Sequence, residues 1–80
     1  MATLRLFAAA RESAGTGSAQ FDEATVGDVL AAAVAQYGDG FRTVLNSCRV
    51  WVNGEAAEPG TVVGAADEVA VLPPVSGGST

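Results

Sequence analysis

Few residues in this chain are of a type that does chemistry on its own. Among the 80 residues there is one cysteine, Cys48, and there is no histidine and no lysine. A single cysteine excludes an internal disulfide framework and any four-thiolate metal or iron–sulfur site. Without histidine, a conventional zinc site and a Ser-His catalytic pair are also excluded. The sequence therefore predicts no metal site and no catalytic residues, and an independent enzyme is the least favoured class of function.

One cysteine and two carboxylate pairs have a structural interpretation as well as a chemical one. Cys48 could receive or relay sulfur, but a lone cysteine at the start of a strand is more often a small core or edge residue. Asp22-Glu23 and Asp67-Glu68 are paired carboxylates at predicted strand ends. Solvated turn residues are commoner there than a general acid/base pair. We favour the structural interpretation for all three.

The charge balance bears on the class of partner. The formal net charge is -5, from nine acidic residues against four arginines. Nucleic-acid binding relies on neutralising phosphates, so this balance argues against a nucleic-acid partner. It suits a protein with a basic surface, although an acidic soluble protein without such a partner would look the same. No basic segment precedes a long apolar stretch and no apolar run approaches membrane-spanning length, so we expect no membrane association and a cytoplasmic location.

Periodicity and turn residues indicate the elements that must position any site. Apolar and polar residues alternate, as in strands, over residues 2–8, 19–23, 48–52 and 68–72. Helix formers predict a short helix over residues 8–14, and a main helix follows Thr25, an N-cap with Asp28 three residues on, and stops at Gly38. Residues 41–46 would add a helical turn.

The segments between these elements predict the topology. Asn53-Gly54 indicates a tight turn, and residues 57–63 indicate another turn with short strand fragments. This order predicts an α+β domain with a mixed sheet of four to five strands and one main helix packed on one face. That is the layout of the β-grasp (ubiquitin-like) fold. The length allows one domain, which we place at residues 1–74, followed by a flexible tail over residues 75–80.

Alternation along the strands divides their residues between two faces of the sheet. The predicted core face carries Leu4, Leu6, Val50, Val52, Val69 and Val71, and the opposite face carries Arg5, Phe7, Arg49, Trp51, Ala70 and Leu72. Three large apolar residues on a face that would otherwise meet water predict a docking patch for another protein. This patch consists of Phe7, Trp51 and Leu72, with Arg5 and Arg49 at its edge. Alternatively, segment 41–46 or a terminus folds over it, or a register slip of one residue exchanges the two faces.

Three segments carry a resemblance to a known family. The run DEVAVLPPVSGG, residues 67–78, resembles the C-terminal signature of the MoaD branch of the MoaD/ThiS sulfur carriers. The run LRLFAAARESAG at residues 4–15 resembles the start of MoaD proteins, and VWVNGE at residues 50–55 resembles their third strand and turn. The segments occur in the right order, and the resemblance covers essentially residues 3–78.

The resemblance implies a sulfur carrier without catalytic residues of its own. An E1-like enzyme would use ATP to adenylate the terminal Gly78, and sulfur would then displace AMP to leave a thiocarboxylate. The tail that delivers it would comprise Pro73, Pro74, Val75 and Gly77. The sulfur acceptor would be a larger, MoaE-like subunit of molybdopterin synthase, in molybdenum cofactor biosynthesis. Two alternatives remain open: a carrier for another pathway (cysteine, thiamine or a secondary metabolite), and a β-grasp interaction module with no sulfur chemistry.

The sequence departs from the family after the paired glycines. In typical members the second glycine is the last residue, whereas Ser79 and Thr80 follow Gly78 here and hold its carboxyl in an amide. A peptidase could remove Ser79-Thr80, the two residues could be foreign to the working protein, or this copy no longer carries sulfur. We favour the clipped precursor, which makes a C-terminal peptidase an expected partner.

Overall fold

The computed structural model describes residues 1–73. Along the chain these form β1 (Ala2–Leu6), α1 (Ala8–Ala14), β2 (Ser18–Phe21), α2 (Val26–Tyr37), α3 (Asp39–Leu45), β3 (Arg49–Val52), β4 (Glu55–Ala56) and β5 (Glu68–Leu72). The predicted boundary between domain and tail, at residues 74 and 75, lies outside the described residues. Within residues 1–73, no helix is long and apolar enough to cross a membrane.

The five strands form one mixed sheet in the order β2-β1-β5-β3-β4. The first and last strands, β1 and β5, are parallel neighbours, with Leu4 opposite Val69 and Leu6 opposite Val71. Every other pair is antiparallel. Parallel pairing of two strands requires a long crossover, which residues 7–67 supply.

Local sequence chemistry sets the ends of the helices. The Thr25 side chain accepts a hydrogen bond from the Asp28 backbone N–H at 3.2 Å, which confirms the predicted cap of α2. Gly38 ends α2 with a φ of 96°, and Gly15 ends α1 with a φ of 78°. Both values lie in the region that glycine tolerates and other residues rarely adopt.

The core lies between the helices and one face of the sheet, in the predicted register. Leu4, Leu6, Val69 and Val71 are fully buried. The other core residues are Ala2, Ala10, Phe21, Val26, Val29, Ala33, Phe41 and Val63. Val50 and Val52, predicted for the core, are only partly buried and pack against it. They lie on β3, which is one strand from the edge of the sheet formed by the two-residue strand β4.

Strand boundaries differ from the sequence prediction for local reasons that differ from strand to strand. Strand β2 stops at Phe21 rather than residue 23, since Phe21 already pairs with Ala2 at the start of β1. Strand β3 begins at Arg49 rather than residue 48, because the Cys48 N–H still donates to the Leu45 carbonyl of the preceding turn at 3.0 Å.

One segment carries more regular structure than the sequence predicts, and another carries less. The sequence predicts one helical turn over residues 41–46, whereas α3 runs over Asp39–Leu45 and buries Phe41 completely in the core. The strand fragments expected within residues 57–63 reduce to one isolated bridge, between Thr25 and Val62. The short strand β4 lies just before that segment, at Glu55–Ala56.

Candidate functional site

The described chain ends as it leaves the middle of the sheet. Strand β5 lies between β1 and β3, and its last residue, Leu72, lies opposite Arg49 of β3, one position beyond the last pair with β1, Leu6 opposite Val71. Pro73 follows and is exposed. Of the predicted tail residues, Pro74, Val75, Gly77 and Gly78 lie outside the described residues. The structure therefore places the origin of the tail at the centre of one sheet end.

The sheet register places the five predicted docking residues on the face opposite the helices. Trp51 and Arg5 flank Ala70 on neighbouring strands, and Arg49 lies opposite Leu72. Phe7 follows β1 with an extended backbone (φ -132°, ψ 152°), which continues the alternation of that strand. These residues therefore lie around the end of β5, where the chain leaves the sheet.

Exposure on this face is uneven. Phe7 is 38% exposed, whereas Trp51 and Leu72 are partly buried. The alternative in which segment 41–46 covers the face does not hold, because Phe41 is buried in the core and α3 packs on α1 and α2. The alternative of a register slip fails as well, since the predicted register is the observed one.

Arg5 is held across this face by two neighbours. Its guanidinium lies 3.1 Å from the Glu68 carboxylate, in the one ion pair found within residues 1–73. It also lies 5.9 Å from the centre of the Phe7 ring, within the range of a cation–π contact. Both side chains of the ion pair are about half exposed, at 45% and 49%. The pair therefore contributes at most about 1 kcal/mol and mainly fixes where the Arg5 charge lies.

The opposite end of β5 is held by side chains whose roles the sequence did not reveal. The Asn53 amide donates to Asp67 Oδ1 at 2.8 Å, and its oxygen accepts from the Glu68 backbone N–H at 2.9 Å. Asp67 Oδ2 accepts from the Gly64 N–H at 2.8 Å. The Asn53 hydrogen bond and then the Gly64 N–H lower the pKa of Asp67 below its ordinary value. The sequence predicts only a turn at Asn53-Gly54, and φ values of 51° and 87° confirm that turn.

The contacts of the other candidate groups favour structural roles for them. Glu68 pairs with Arg5 and Asp67 with Asn53, so Asp67-Glu68 is not arranged as a general acid/base pair. Cys48 is partly buried against the core, and burial raises the pKa of its thiol. Within the described chain, no three His, Cys, Asp or Glu side chains come together as a metal site requires.

Comparison with known proteins assigns the chain to a family. The model of the ThiS family matches residues 4–78. The chain belongs to the ThiS family. The match begins in β1 and ends on Gly78, leaving Ser79 and Thr80 outside it. The resemblance predicted from the three sequence segments is thereby confirmed for a ThiS-family domain.

Individual relatives agree with this assignment. Small archaeal modifier protein 1 of Haloferax volcanii is 40% identical over 85 aligned positions, which cover 92% of this chain and 97% of the relative. Its crystal structure superposes with a TM-score of 0.82 at 36% identity, over 95% of this chain and 97% of that one. The solution structure of small archaeal modifier protein 1 from Methanosarcina acetivorans gives a TM-score of 0.84 at 28% identity, over 95% and 94%.

A third structure shows the fold alone. Molybdopterin converting factor subunit 1 from Pyrococcus furiosus superposes with a TM-score of 0.82 at 21% identity, over 92% of this chain and 97% of that one. These likenesses confirm the β-grasp (ubiquitin-like) fold, and the ThiS-family chain is one of the ubiquitin-like small carriers and modifiers.

Proposed function

We propose that this protein is a ubiquitin-like sulfur carrier that works through the carboxyl group of Gly78 after a peptidase removes Ser79-Thr80. It acts without catalytic residues of its own and donates sulfur in molybdenum cofactor biosynthesis. The observation that carries the proposal is the family match, which ends on Gly78 although two residues follow it.

The position of the tail supports this use of Gly78. The chain leaves the sheet from its middle strand, with β1 and β3 on either side, and turns polar and glycine-rich within a few residues. Residues 73–78 span up to about 20 Å when extended, at roughly 3.3 Å per residue. Glycine lacks a Cβ, so a tail that ends in Gly77-Gly78 fits a narrow channel in another protein. Such a tail suits delivery of a reactive end into the active site of a partner.

The chemistry proceeds through an activated carboxyl group. Hydrolysis of the Gly78–Ser79 amide frees the carboxylate. An oxygen of that carboxylate attacks the α-phosphorus of ATP in the active site of an E1-like enzyme, and pyrophosphate leaves. Hydrosulfide (HS⁻) then attacks the carbonyl carbon of the acyl-adenylate, AMP leaves, and the thioacid loses its proton to solvent. The product is a thiocarboxylate at Gly78.

The open face of the sheet supports docking beside that reaction. Phe7, Trp51 and Leu72 lie around the exit of the tail, with Arg5 and Arg49 among them. A protein partner that covers this face would remove Trp51 from water, worth on the order of 2–3 kcal/mol. We assign the face to the E1-like enzyme and, in turn, to the sulfur acceptor, a larger MoaE-like synthase subunit.

A second function is favoured by the name of one relative. The Haloferax volcanii protein that is 40% identical to this chain is a small archaeal modifier protein. A modifier uses the same activated Gly78, but a lysine amine of a target protein attacks the carbonyl carbon in place of sulfur. The two functions therefore share every step up to the acyl-adenylate and differ in the nucleophile.

Intact mass spectrometry of the protein from its native cells tests the proposal. A carrier gives a chain ending at Gly78, part of it heavier by the exchange of one oxygen for sulfur. A modifier gives the same end, no sulfur-bearing species, and Gly78 linked to lysines of other proteins. A chain that still ends at Thr80 in sulfur-replete cells, without either product, contradicts both and favours an interaction module. Gly77→Ala is the matched variant, because it should abolish transfer and leave binding to the open face intact.

A further inference from the structure

The two edges of the sheet differ in their protection against the addition of another strand. An edge strand carries unpaired backbone N–H and C=O groups, which can pair with a second chain. Strand β4 forms one edge, but it is only two residues long and carries Glu55. Strand β2 forms the other edge over four residues, Ser18–Phe21, and has neither a charged residue nor a proline. By length and composition, β2 is therefore the edge at which another strand could add.

The hydrogen-bond pattern shows which groups of β2 point away from the sheet. The Leu6 N–H donates to the Gly17 carbonyl at 2.9 Å, so these two residues form a hydrogen-bonded pair. Bonded and non-bonded pairs alternate along antiparallel strands, so the next pair, Arg5 and Ser18, is not bonded. The backbone N–H and C=O of Ser18 therefore point outward from the edge. By the same alternation, those of Gln20 point outward as well.

One side chain, that of Thr16, binds both outward groups of Ser18. The Ser18 N–H donates to Thr16 Oγ1 at 3.3 Å, and the Thr16 hydroxyl donates to the Ser18 carbonyl at 3.0 Å. A hydroxyl can donate one hydrogen bond while it accepts another, so it replaces both groups that a residue of an added strand would offer. Gln20 lies two residues farther along the strand, about 7 Å away, so its outward groups are beyond the reach of the same hydroxyl.

We infer that the Thr16 hydroxyl keeps β2 from pairing with β2 of a second copy of this protein. A second copy suits this edge because two antiparallel β2 strands related by a two-fold axis match each other. Ser18 of each copy then lies opposite Gln20 of the other, Ala19 lies opposite Ala19, and no charge falls inside the paired segment.

Pairing of two copies requires that Thr16 release Ser18. In the register with Ala19 at the two-fold axis, both hydrogen-bonded pairs use Ser18. A two-fold axis at Gln20 leaves one bonded pair, because the flanking pairs again use Ser18. The hydroxyl thus keeps the open face on one five-stranded sheet rather than on two joined sheets.

Removing the hydroxyl while keeping the shape of the side chain tests this inference. Thr16→Val has nearly the size and branching of threonine without the hydroxyl, whereas Thr16→Ser keeps the hydroxyl. Thr43→Val is the matched control, because Thr43 is exposed on α3 and gains the same apolar group. Thr16→Val combined with Gln20→Pro removes an outward N–H of β2, a change that an edge strand tolerates.

Sedimentation equilibrium measures dimerisation, and amide hydrogen exchange followed by NMR measures the protection of each N–H of β2. Both are carried out at about 0.15 M salt, which screens the repulsion between two chains of net charge -5. The NMR spectrum of each variant also shows whether it is folded.

In dilute solution, we expect the Ser18 amide of Thr16→Val to exchange about three- to tenfold faster than in the unchanged protein, because it has lost one exposed hydrogen bond. At higher concentration Thr16→Val should dimerise at least about tenfold more tightly than the unchanged protein, since pairing no longer breaks two hydrogen bonds in each copy. The Ser18 and Gln20 amides should then regain protection. Thr16→Ser, Thr43→Val and the double variant should dimerise no more tightly than the unchanged protein.

Three results would overturn the inference. The first is a folded Thr16→Val that stays monomeric up to about 1 mM, which corresponds to less than about 4 kcal/mol of association free energy. The second is a Thr43→Val that dimerises as tightly as Thr16→Val. The third is a double variant that does so, because the contact would then lie elsewhere than on β2.

Discussion

Replacing Asn53 tests whether its side chain holds the start of β5 in place. Asn53→Ala removes the hydrogen bonds to Asp67 (2.8 Å) and to the Glu68 N–H (2.9 Å), and it forces alanine into a φ of 51°. Two exposed hydrogen bonds are worth about 1–2 kcal/mol together, and the left-handed conformation costs alanine about 1 kcal/mol. We therefore expect a loss of about 2–3 kcal/mol in the free energy of unfolding.

Urea unfolding measures this loss, with the fluorescence of Trp51, the one tryptophan of the chain, as the signal. In a thermal unfolding experiment on a domain of this size, the midpoint temperature should fall by about 10–20 °C. Asn53→Gly tolerates the turn, so it should lose about 1 kcal/mol less than Asn53→Ala. Asn46→Ala is the matched control: Asn46 is exposed with a φ of -61°, and a change within about 0.5 kcal/mol is expected. The reasoning is refuted if Asn53→Ala unfolds like the unchanged protein, or if Asn46→Ala loses as much.

Three further predictions concern the core, a helix junction and acid stability. Phe41→Ala, at a fully buried side chain, should cost about 3–5 kcal/mol and leave little folded protein by circular dichroism, whereas Phe41→Leu should remain folded. Gly38→Ala places alanine at a φ of 96° and should lower the free energy of unfolding by about 1 kcal/mol in urea unfolding. Gly40→Ala lies inside α3 with open space around its Cβ and should raise that free energy by about 0.5–1 kcal/mol. Equal effects of the two variants would contradict the strain argument. The folded-state pKa of Asp67 is lowered, so its contribution to stability is present above its ordinary pKa and is lost as pH falls below about 4. An NMR titration should therefore show the Asp67 pKa rising towards its ordinary value in Asn53→Gly, and an unchanged pKa would contradict the assigned cause.

Much of the fold could be predicted from the sequence because its signals are local. Alternation along β1 places Leu4 and Leu6 on the core face, and the two-residue period of a strand is enough to predict this. The Thr25 cap and the Asn53-Gly54 turn are each made by residues within three positions of one another, so their chemistry can be read directly from the sequence. The tail signature is also local, because it is read from residues 67–78 alone. The family match extends to the same last residue, Gly78.

The strand ends and the contacts between distant residues could not be predicted in the same way. Strand β2 ends at Phe21 because its partner strand ends there, although residues 22 and 23 fit the pattern. Arg5 and Glu68 are 63 positions apart in the chain and meet only because β1 and β5 pair in parallel. Asn53 reaches Asp67 and Glu68 for a similar reason.

The sequence by itself determined which residues face the core, where the main helix begins and which tail could carry an acyl group. Only the tertiary structure decided that the tail leaves from the middle strand, between Arg5 and Arg49, with the docking residues around it. Local preferences act over a few residues, whereas pairing between strands at the two ends of a chain is decided by burial of the whole apolar face against the helices.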